Sequence, residues 1–295
     1  RRKQFKRVSL NRILQASSFA VFAIIYALLK NKTDLSINGL ILTHISSQGF
    51  VLLLFYISFF TDKEKNGYVF SWNSVKEHAK RYKQFPKVSI SSGLVNALSN
   101  RLPIIVLDFF FGKQILGQYT FTHRILSTPV SLVSAAIGDV FRQKASQEYT
   151  EKGSACSTYM STLKGLSIFS VIAFVLIGIF AKDVLNMFFG DKWAMAGNFI
   201  RIMTVLFIFR FIASPLSFIM VIAEKLKTDL IWQICLCVFV AVTSLVGYYV
   251  WGTVTSVIVL FTVVYSIAYM ISIIITYNLA KGKALEINKT TENHP

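Results

Sequence analysis

Eight stretches of the chain are dense in apolar residues and lack the every-second-residue alternation of a membrane β-strand. They cover 13–29, 35–60, 88–111, 115–141, 166–189, 194–222, 230–251 and 254–280. Crossing a hydrocarbon core takes a helix of about 20 apolar residues, and these runs are close to that length. The pattern predicts an all-α, polytopic membrane bundle of eight transmembrane helices. The first run is too long for the apolar core of a signal peptide and ends Tyr26-Ala27-Leu28-Leu29-Lys30, without a small-residue cleavage site, so it too reads as a membrane helix.

The polar connections alternate in length. Those at 30–34, 112–114, 190–193 and 252–253 are short, whereas 61–87 and 142–165 are long and basic. Within 61–87, Ser74-Val75-Lys76-Glu77 fits the capping box in which serine and glutamate side chains satisfy free N–H groups at a helix start. Val75, Ala79, Tyr82 and Phe85 then recur at helical spacing between Lys76, Lys80, Arg81 and Lys83, the pattern of a short helix lying on a membrane surface. The chain therefore divides into a two-helix piece at 1–60, a linker at 61–87, a six-helix piece at 88–280 and a tail at 281–295.

Composition narrows the reading. The chain is 54% hydrophobic and 15% charged, where a soluble domain carries about 25% charged residues. A mean hydropathy of +0.56 also excludes a disordered chain. The net charge of +17 would suit nucleic acid only if the basic residues formed one exposed stripe. Instead, of the 31 Lys and Arg, 22 fall on the side of the termini and the even-numbered connections and 5 on the side of the odd-numbered ones, counting those toward the ends of the runs, and the remaining four are Arg101, Arg124, Arg201 and Arg210. Cytoplasmic connections carry the excess of Lys and Arg, so both termini are expected in the cytoplasm and the charge faces anionic headgroups. Trp193, Tyr248, Tyr249 and Trp251 at the outer ends, and Trp72, Tyr82 and Trp232 at the inner ends, sit where amphipathic rings favour the headgroup level.

Chemistry-bearing motifs are sparse. Cys156 lies in a connection, and Cys235 and Cys237, two apart on a helix, point away from each other. The sequence has no metal-ligand spacing, phosphate-cradling glycine loop or nucleophile elbow. No metal, cofactor or catalytic residue is expected.

The ionisable residues inside the runs are Arg101 and Asp108, Arg124 and Asp139, and Arg201 and Arg210. An arginine at a helix centre costs about 2.5–3.5 kcal/mol on insertion scales, so it normally faces a bundle interior or a wet cavity. Counting from the outer turns, Arg101 and Arg124 both lie roughly 15 Å deep, Asp108 only about 5 Å deep, and Asp139 at the inner interface. Neither acid is placed to neutralise both arginines. Arg201 and Arg210 project from opposite faces of one helix; the shallower Arg201 snorkels outward. Arg210, between Phe209 and Phe211 and before the helix-bending Pro215, is the interior candidate. Positive charge in mid-membrane suits an anion, and guanidinium binds phosphate bidentately. Alternatively, these arginines are tied off by carbonyls or by Ser, Asn and Gln side chains and hold helices together. Asp108 and Asp139 are either sites for a coupling ion or members of salt bridges. His44 and His123 read as neutral interhelical hydrogen-bonding residues, and Pro103 and Pro129 as helix kinks.

The stretch 82–149 contains Tyr82-Lys83-Gln84-Phe85-Pro86, Asn96-Ala97-Leu98-Ser99-Asn100-Arg101-Leu102-Pro103, Phe111-Gly112, Gly117-Gln118-Tyr119, Arg124-Ile125-Leu126-Ser127-Thr128-Pro129 and Ala136-Ile137-Gly138-Asp139-Val140-Phe141. Further on come Phe188-Phe189-Gly190-Asp191-Lys192-Trp193 and Arg210 followed by Ser214-Pro215-Leu216-Ser217. In order and spacing this resembles bacterial oligosaccharide flippases, including O-antigen flippases. They form the polysaccharide-transporter branch of the multidrug/oligosaccharidyl-lipid/polysaccharide exporter superfamily. The resemblance implies a MATE-like fold of two six-helix lobes around a cationic cavity, in the bacterial cytoplasmic (inner) membrane. It implies a chain whose family counterparts carry four further helices before its first, with 1–60 ending one lobe and 88–280 forming the other. Arg124 occupies a position where the family commonly has Arg.

The leading expectation is a flippase that moves a lipid-diphosphate-linked oligosaccharide between leaflets by alternating access. Arg101, Arg124 and Arg210 are the candidate substrate-binding residues. The implied partners are that substrate, the lipid bilayer and other membrane proteins of polysaccharide assembly, not nucleic acid. Two alternatives stand beside it. A multidrug exporter of the same superfamily would call for buried carboxylates to meet cationic drugs. A polymerase or glycosyltransferase would need a periplasmic or cytoplasmic loop able to hold acid/base groups, and the short outer connections argue against periplasmic chemistry.

Overall fold

The computed structural model describes residues 5–30, 39–61, 72–73, 76–77, 80 and 84–282. Every regular element among them is helical. The chain divides into two compact units, Arg1–Glu77 and His78–Pro295. Most of the expected surface helix and the tail beyond 282 lie outside the described residues.

In the first unit α1 (Phe5–Lys30) packs on α2 (Gly39–Thr61). Helices in lipid gain nothing from burying apolar surface against each other, so small side chains that let backbones approach are favoured at their contacts. Ser18, Thr43 and Ser47 are the buried polar residues of the pair. Each hydroxyl donates to a carbonyl three or four residues earlier, as Thr43 does to Gly39 at 2.6 Å. Gly39 lies against the Tyr26 ring, where a Cβ would not fit. His44 makes an edge-on contact with Phe19, and Phe50 with Phe22; with Tyr26 beside Gly39 and Phe19 beside His44, the two helices run antiparallel.

The second unit opens with α3 (Gln84–Lys152), interrupted at Gly112, whose φ of 78° and ψ of 175° are non-helical. Positive φ is open to glycine at little cost, and one residue suffices to turn the chain. Phe110 before the break stacks on Tyr248 at 4.0 Å, near the end of α7 (Leu226–Trp251). Gln118 after the break bonds the residues that begin α5 (Ala194–Leu216). The expected reversal between the third and fourth runs is therefore present, compressed into a single glycine. Between these helices stand α4 (Cys156–Phe189) and a 3-10 turn at Asp191–Trp193; after α5 come α6 (Phe218–Ile222), α7 and α8 (Val254–Lys281).

α5 is the centre of this unit and packs on α3, α4 and α8. Half of its most apolar stretch is buried, against 17% for α4, the most peripheral. A helix hydrophobic on all sides belongs in a core. Phe199, Met203, Phe207 and Phe211 supply that core together with Phe174 of α4, Phe261 of α8, and Tyr119 and Leu126 of α3. Gly197 lets α5 approach the Lys182 backbone of α4, and Gly247 lets α7 approach Val257 of α8. At the end remote from Gly112, α3, α4 and α8 are fastened by polar bonds. Ala155 N–H donates to the Ala280 carbonyl at 2.8 Å, and the Glu148 carboxylate accepts from Thr158 N–H at 2.9 Å. The Tyr159 hydroxyl lies 2.9 Å from the Ile273 carbonyl.

Two expectations change. The connection expected at 142–165 shrinks to 153–155, because α3 runs on to Lys152 and α4 begins at Cys156. Helices need apolar residues only inside hydrocarbon; beyond it, polar contacts such as Gln147 Nε2 to Glu151 at 2.9 Å line the continuation. Likewise α7 begins at Leu226, which brings Asp229 into a helix. Among the described residues five elements are long and apolar enough to cross a membrane, Lys87–Lys152 counting as one, with shorter apolar stretches at Ile13–Leu28 and Ile41–Leu54. The chain is a multi-pass helical membrane protein in which the eight apolar runs do not map one-to-one onto such elements.

Candidate functional site

Arg210 leaves α5 half-buried. Helical side chains lean toward the start of their own helix, so a long one carries its head group about one turn, roughly 5 Å, back along the axis. The guanidinium meets Asn100 there, Nη2 donating to Oδ1 at 3.1 Å, and its carbon lies 5.6 Å from the centre of the Phe207 ring. Asn100 is itself fixed. Its Nδ2 donates to Asn96 Oδ1 at 2.6 Å and to the Asn96 carbonyl at 2.8 Å. One residue earlier, the Ser99 carbonyl accepts from the Tyr265 hydroxyl of α8 at 2.8 Å. Helices α3, α5 and α8 thus converge on one guanidinium.

Below Arg210 lies a cavity of about 140 Å³. Asn96 of α3, Arg210, Ser214 and Ser217 at the end of α5, Asp229 and Gln233 of α7, and Ser272 of α8 contribute to its wall. These belong to the half of the unit remote from Gly112. The Asp229 carboxylate accepts from the Ser92 hydroxyl. Gln233 is 6% exposed and its Oε1 has no hydrogen-bond partner among the described residues. Water takes about 30 Å³ per molecule and small-molecule pockets begin near 300 Å³, so this chamber holds a few waters and is too small for a sugar.

Around the guanidinium, His123 lies within electrostatic reach of both Arg210 and Arg101. Its ring packs on Tyr119 and Phe207, at 6.0 and 5.6 Å, in place of the interhelical hydrogen bond expected of it. Arg101 and Arg210 therefore share a neighbourhood. Arg101 and Arg124 are both exposed, as is Arg201. Asp108 is exposed and Asp139 half-buried, and neither lines the cavity. No group of three or more potential metal ligands occurs among the described residues.

Sequence reasoning passed over Asp229, Gln233, Asn96 and Asn100. Asp229 sits one residue before an apolar run and was counted as connection, although an acid in a helix's first turn is favoured by the helix dipole. Asn96 and Asn100 carried a readable signal, since residues four apart share a helix face.

Comparisons with known proteins agree with this architecture. The profile of a family described as "Polysaccharide biosynthesis protein" matches residues 1–198. The teichuronic acid biosynthesis protein TuaB of Bacillus subtilis (strain 168) is 20% identical over 180 residues, 61% of this chain and 36% of its own length. A crystal structure of a MATE point mutant matches with a TM-score of 0.71 at 14% identity, covering 97% of this chain and 63% of the other. An outward-facing multidrug resistance MATE family transporter of the MOP superfamily matches with a TM-score of 0.63 at 14% identity, covering 98% and 64%. The chain spans just over a third of the curated relative and less than two thirds of each solved structure. At this identity the solved structures speak for the fold alone. With its profile matched over most of its length, the chain belongs to the polysaccharide biosynthesis protein family and carries a MATE-type membrane fold.

Proposed function

We propose that the chain forms part of a flippase that moves a lipid-diphosphate-linked oligosaccharide, the unit of an O-antigen, capsule or related surface polysaccharide, from the cytoplasmic to the outer leaflet. The observation that carries this reading is Arg210, a cation inside a membrane bundle whose side-chain hydrogen bond goes to a neutral amide. An uncompensated guanidinium in low dielectric attracts an anion, and a diphosphate offers oxygens for bidentate bonds. Arg101, in the same neighbourhood, and Arg124 add positive charge for the same head group. The glycan would cross a wet groove while the lipid tail stays in the bilayer, by alternating access of two lobes. Residues 1–60 would end one lobe and 88–280 form the other; the division of the chain between Glu77 and His78, inside the 61–87 linker, supports that arrangement. The excess of basic residues supports cytoplasmic termini, and the similarity to a bacterial polysaccharide biosynthesis protein supports a bacterial inner membrane. Asp108 and Asp139 would take up the coupling ion.

A multidrug exporter shares the fold but would offer a cationic drug a free carboxylate, and Asp229 in the cavity is engaged by Ser92. The test is surface glycan display in cells that depend on the full-length protein. Losing a charged hydrogen bond costs about 1.5–3 kcal/mol, so Arg210→Ala, Arg101→Ala and Arg124→Ala should each lower display about tenfold or more at normal membrane levels. Arg201→Ala should be mild. Normal display after removal of all three arginines would sink the anion-binding reading.

A further inference from the structure

We infer that Asn100 is a positioning residue that holds the Arg210 guanidinium in place while leaving its charge free for the substrate's diphosphate. The inference rests on the flippase reading and adds what makes Arg210 usable. A buried arginine is commonly steadied by a carboxylate, which fixes it and cancels its charge. Here the acceptor is an amide oxygen, which fixes it and cancels nothing.

The geometry keeps that amide in one orientation. With Nδ2 toward Asn96, both its bonds end on oxygen acceptors, at 2.6 and 2.8 Å, and Oδ1 is left for the guanidinium. Turning the amide over would set oxygen against oxygen on one side and N–H against N–H on the other. Tyr265 pins the backbone beside it through the Ser99 carbonyl, so the acceptor is held from α8 as well as from α3. An acid lines the same cavity but is not the hydrogen-bond partner of Arg210. That acid is Asp229, whose partner is the Ser92 hydroxyl.

Asn100→Asp separates holding from charge. The carboxylate keeps an acceptor at nearly the same place and size, but pairs the guanidinium as an ion pair. If Asn100 only tied α3 to α5, the ion pair would replace that tie and binding would be unchanged. If it keeps Arg210 available, binding would fall. The experiment measures binding of a polyprenyl diphosphate to the purified full-length protein in detergent, together with its unfolding temperature. Asn100→Asp is expected to bind at least about tenfold more weakly, a loss of one charge-assisted bond, while its unfolding temperature stays near the wild-type value, because the ion pair to Arg210 offsets the two bonds to Asn96 that the carboxylate cannot make. Binding equal to wild type overturns the proposal. If Asn100→Asp fails to fold, Asn96→Ala carries the test without altering charge. It removes one of the two bonds that orient the Asn100 amide, leaving the bond to the backbone carbonyl of residue 96, and should weaken binding about threefold to tenfold; unchanged binding again overturns the proposal. Arg210→Ala, measured alongside, separates the two readings. If it loses binding while the asparagine variants keep it, only the role of Asn100 falls. If it also binds as wild type, the assignment of Arg210 to the substrate falls with it.

Discussion

Substituting Gly247 by alanine tests whether close backbone approach holds α7 to α8. A methyl there would meet Val257 Cα at 3.0 Å, Leu260 Cδ1 at 3.1 Å and Val257 Cγ2 at 3.2 Å. The leucine end can swing away, but the Cα belongs to the backbone of α8, so the two helices must part by about half an ångström. A gap of that size forfeits about a quarter of the dispersion attraction of every atom pair facing it, and overpacking of this kind costs about 1–3 kcal/mol. Alanine also brings back about 1 kcal/mol of helix propensity, which blurs the result for one variant alone. Gly165 supplies the control. It is exposed within α4 and a Cβ there meets nothing within 4 Å, so Gly165→Ala has the propensity gain without the clash. The difference between the two variants is then the packing cost, about 1–3 kcal/mol. At about 2–4 °C per kcal/mol for a unit of this size, Gly247→Ala should unfold roughly 2–12 °C below Gly165→Ala in detergent micelles. Equal unfolding temperatures would mean that the α7–α8 contact yields without cost, and the packing argument would be wrong.

Gln118 spans the start of α5, donating to the Lys192 carbonyl at 2.7 Å and accepting from Ala196 N–H at 3.1 Å. Since that N–H belongs to the first turn and has no partner within its own helix, Gln118→Ala should destabilise the second unit by about 1–3 kcal/mol; an unchanged unfolding temperature would refute the bridge. Asp108→Asn and Asp139→Asn should flatten the dependence of glycan display on pH or sodium at normal membrane levels, and retention of the wild-type dependence by both would remove these carboxylates from coupling.

Most of the helical architecture was legible because its physics is one-dimensional. A run of apolar residues such as 230–251 reports that a segment can enter hydrocarbon, whatever it packs against. The ends of helices were less legible, because outside hydrocarbon the apolar signal stops while the helix does not. Residues 142–152 continue α3 on polar contacts that composition cannot distinguish from a loop. Gly112 shows the converse. A glycine beside a short polar stretch announced a turn, and its positive φ makes that turn in one residue.

The site was legible as charge and illegible as arrangement. Depth counted along a helix treats a residue as a point at its Cα, and by that count Arg210 lies well below Arg101 and Arg124. Its side chain leans back toward the start of α5 and delivers the guanidinium to Asn100, one residue before Arg101 in the chain. A long cation can therefore share a neighbourhood with residues about a turn away in Cα depth. The two asparagines stood in the quoted motif on one helix face, yet nothing in α3 alone gives them a purpose. Their purpose depends on α5 setting a cation beside them. As hydrogen-bond acceptors an amide and a carboxylate are near equivalents; they differ in what they leave for a ligand. Asparagine at this position leaves the cation whole, which is why the amide, rather than the arginine alone, is the feature that a substrate carrying a diphosphate would require.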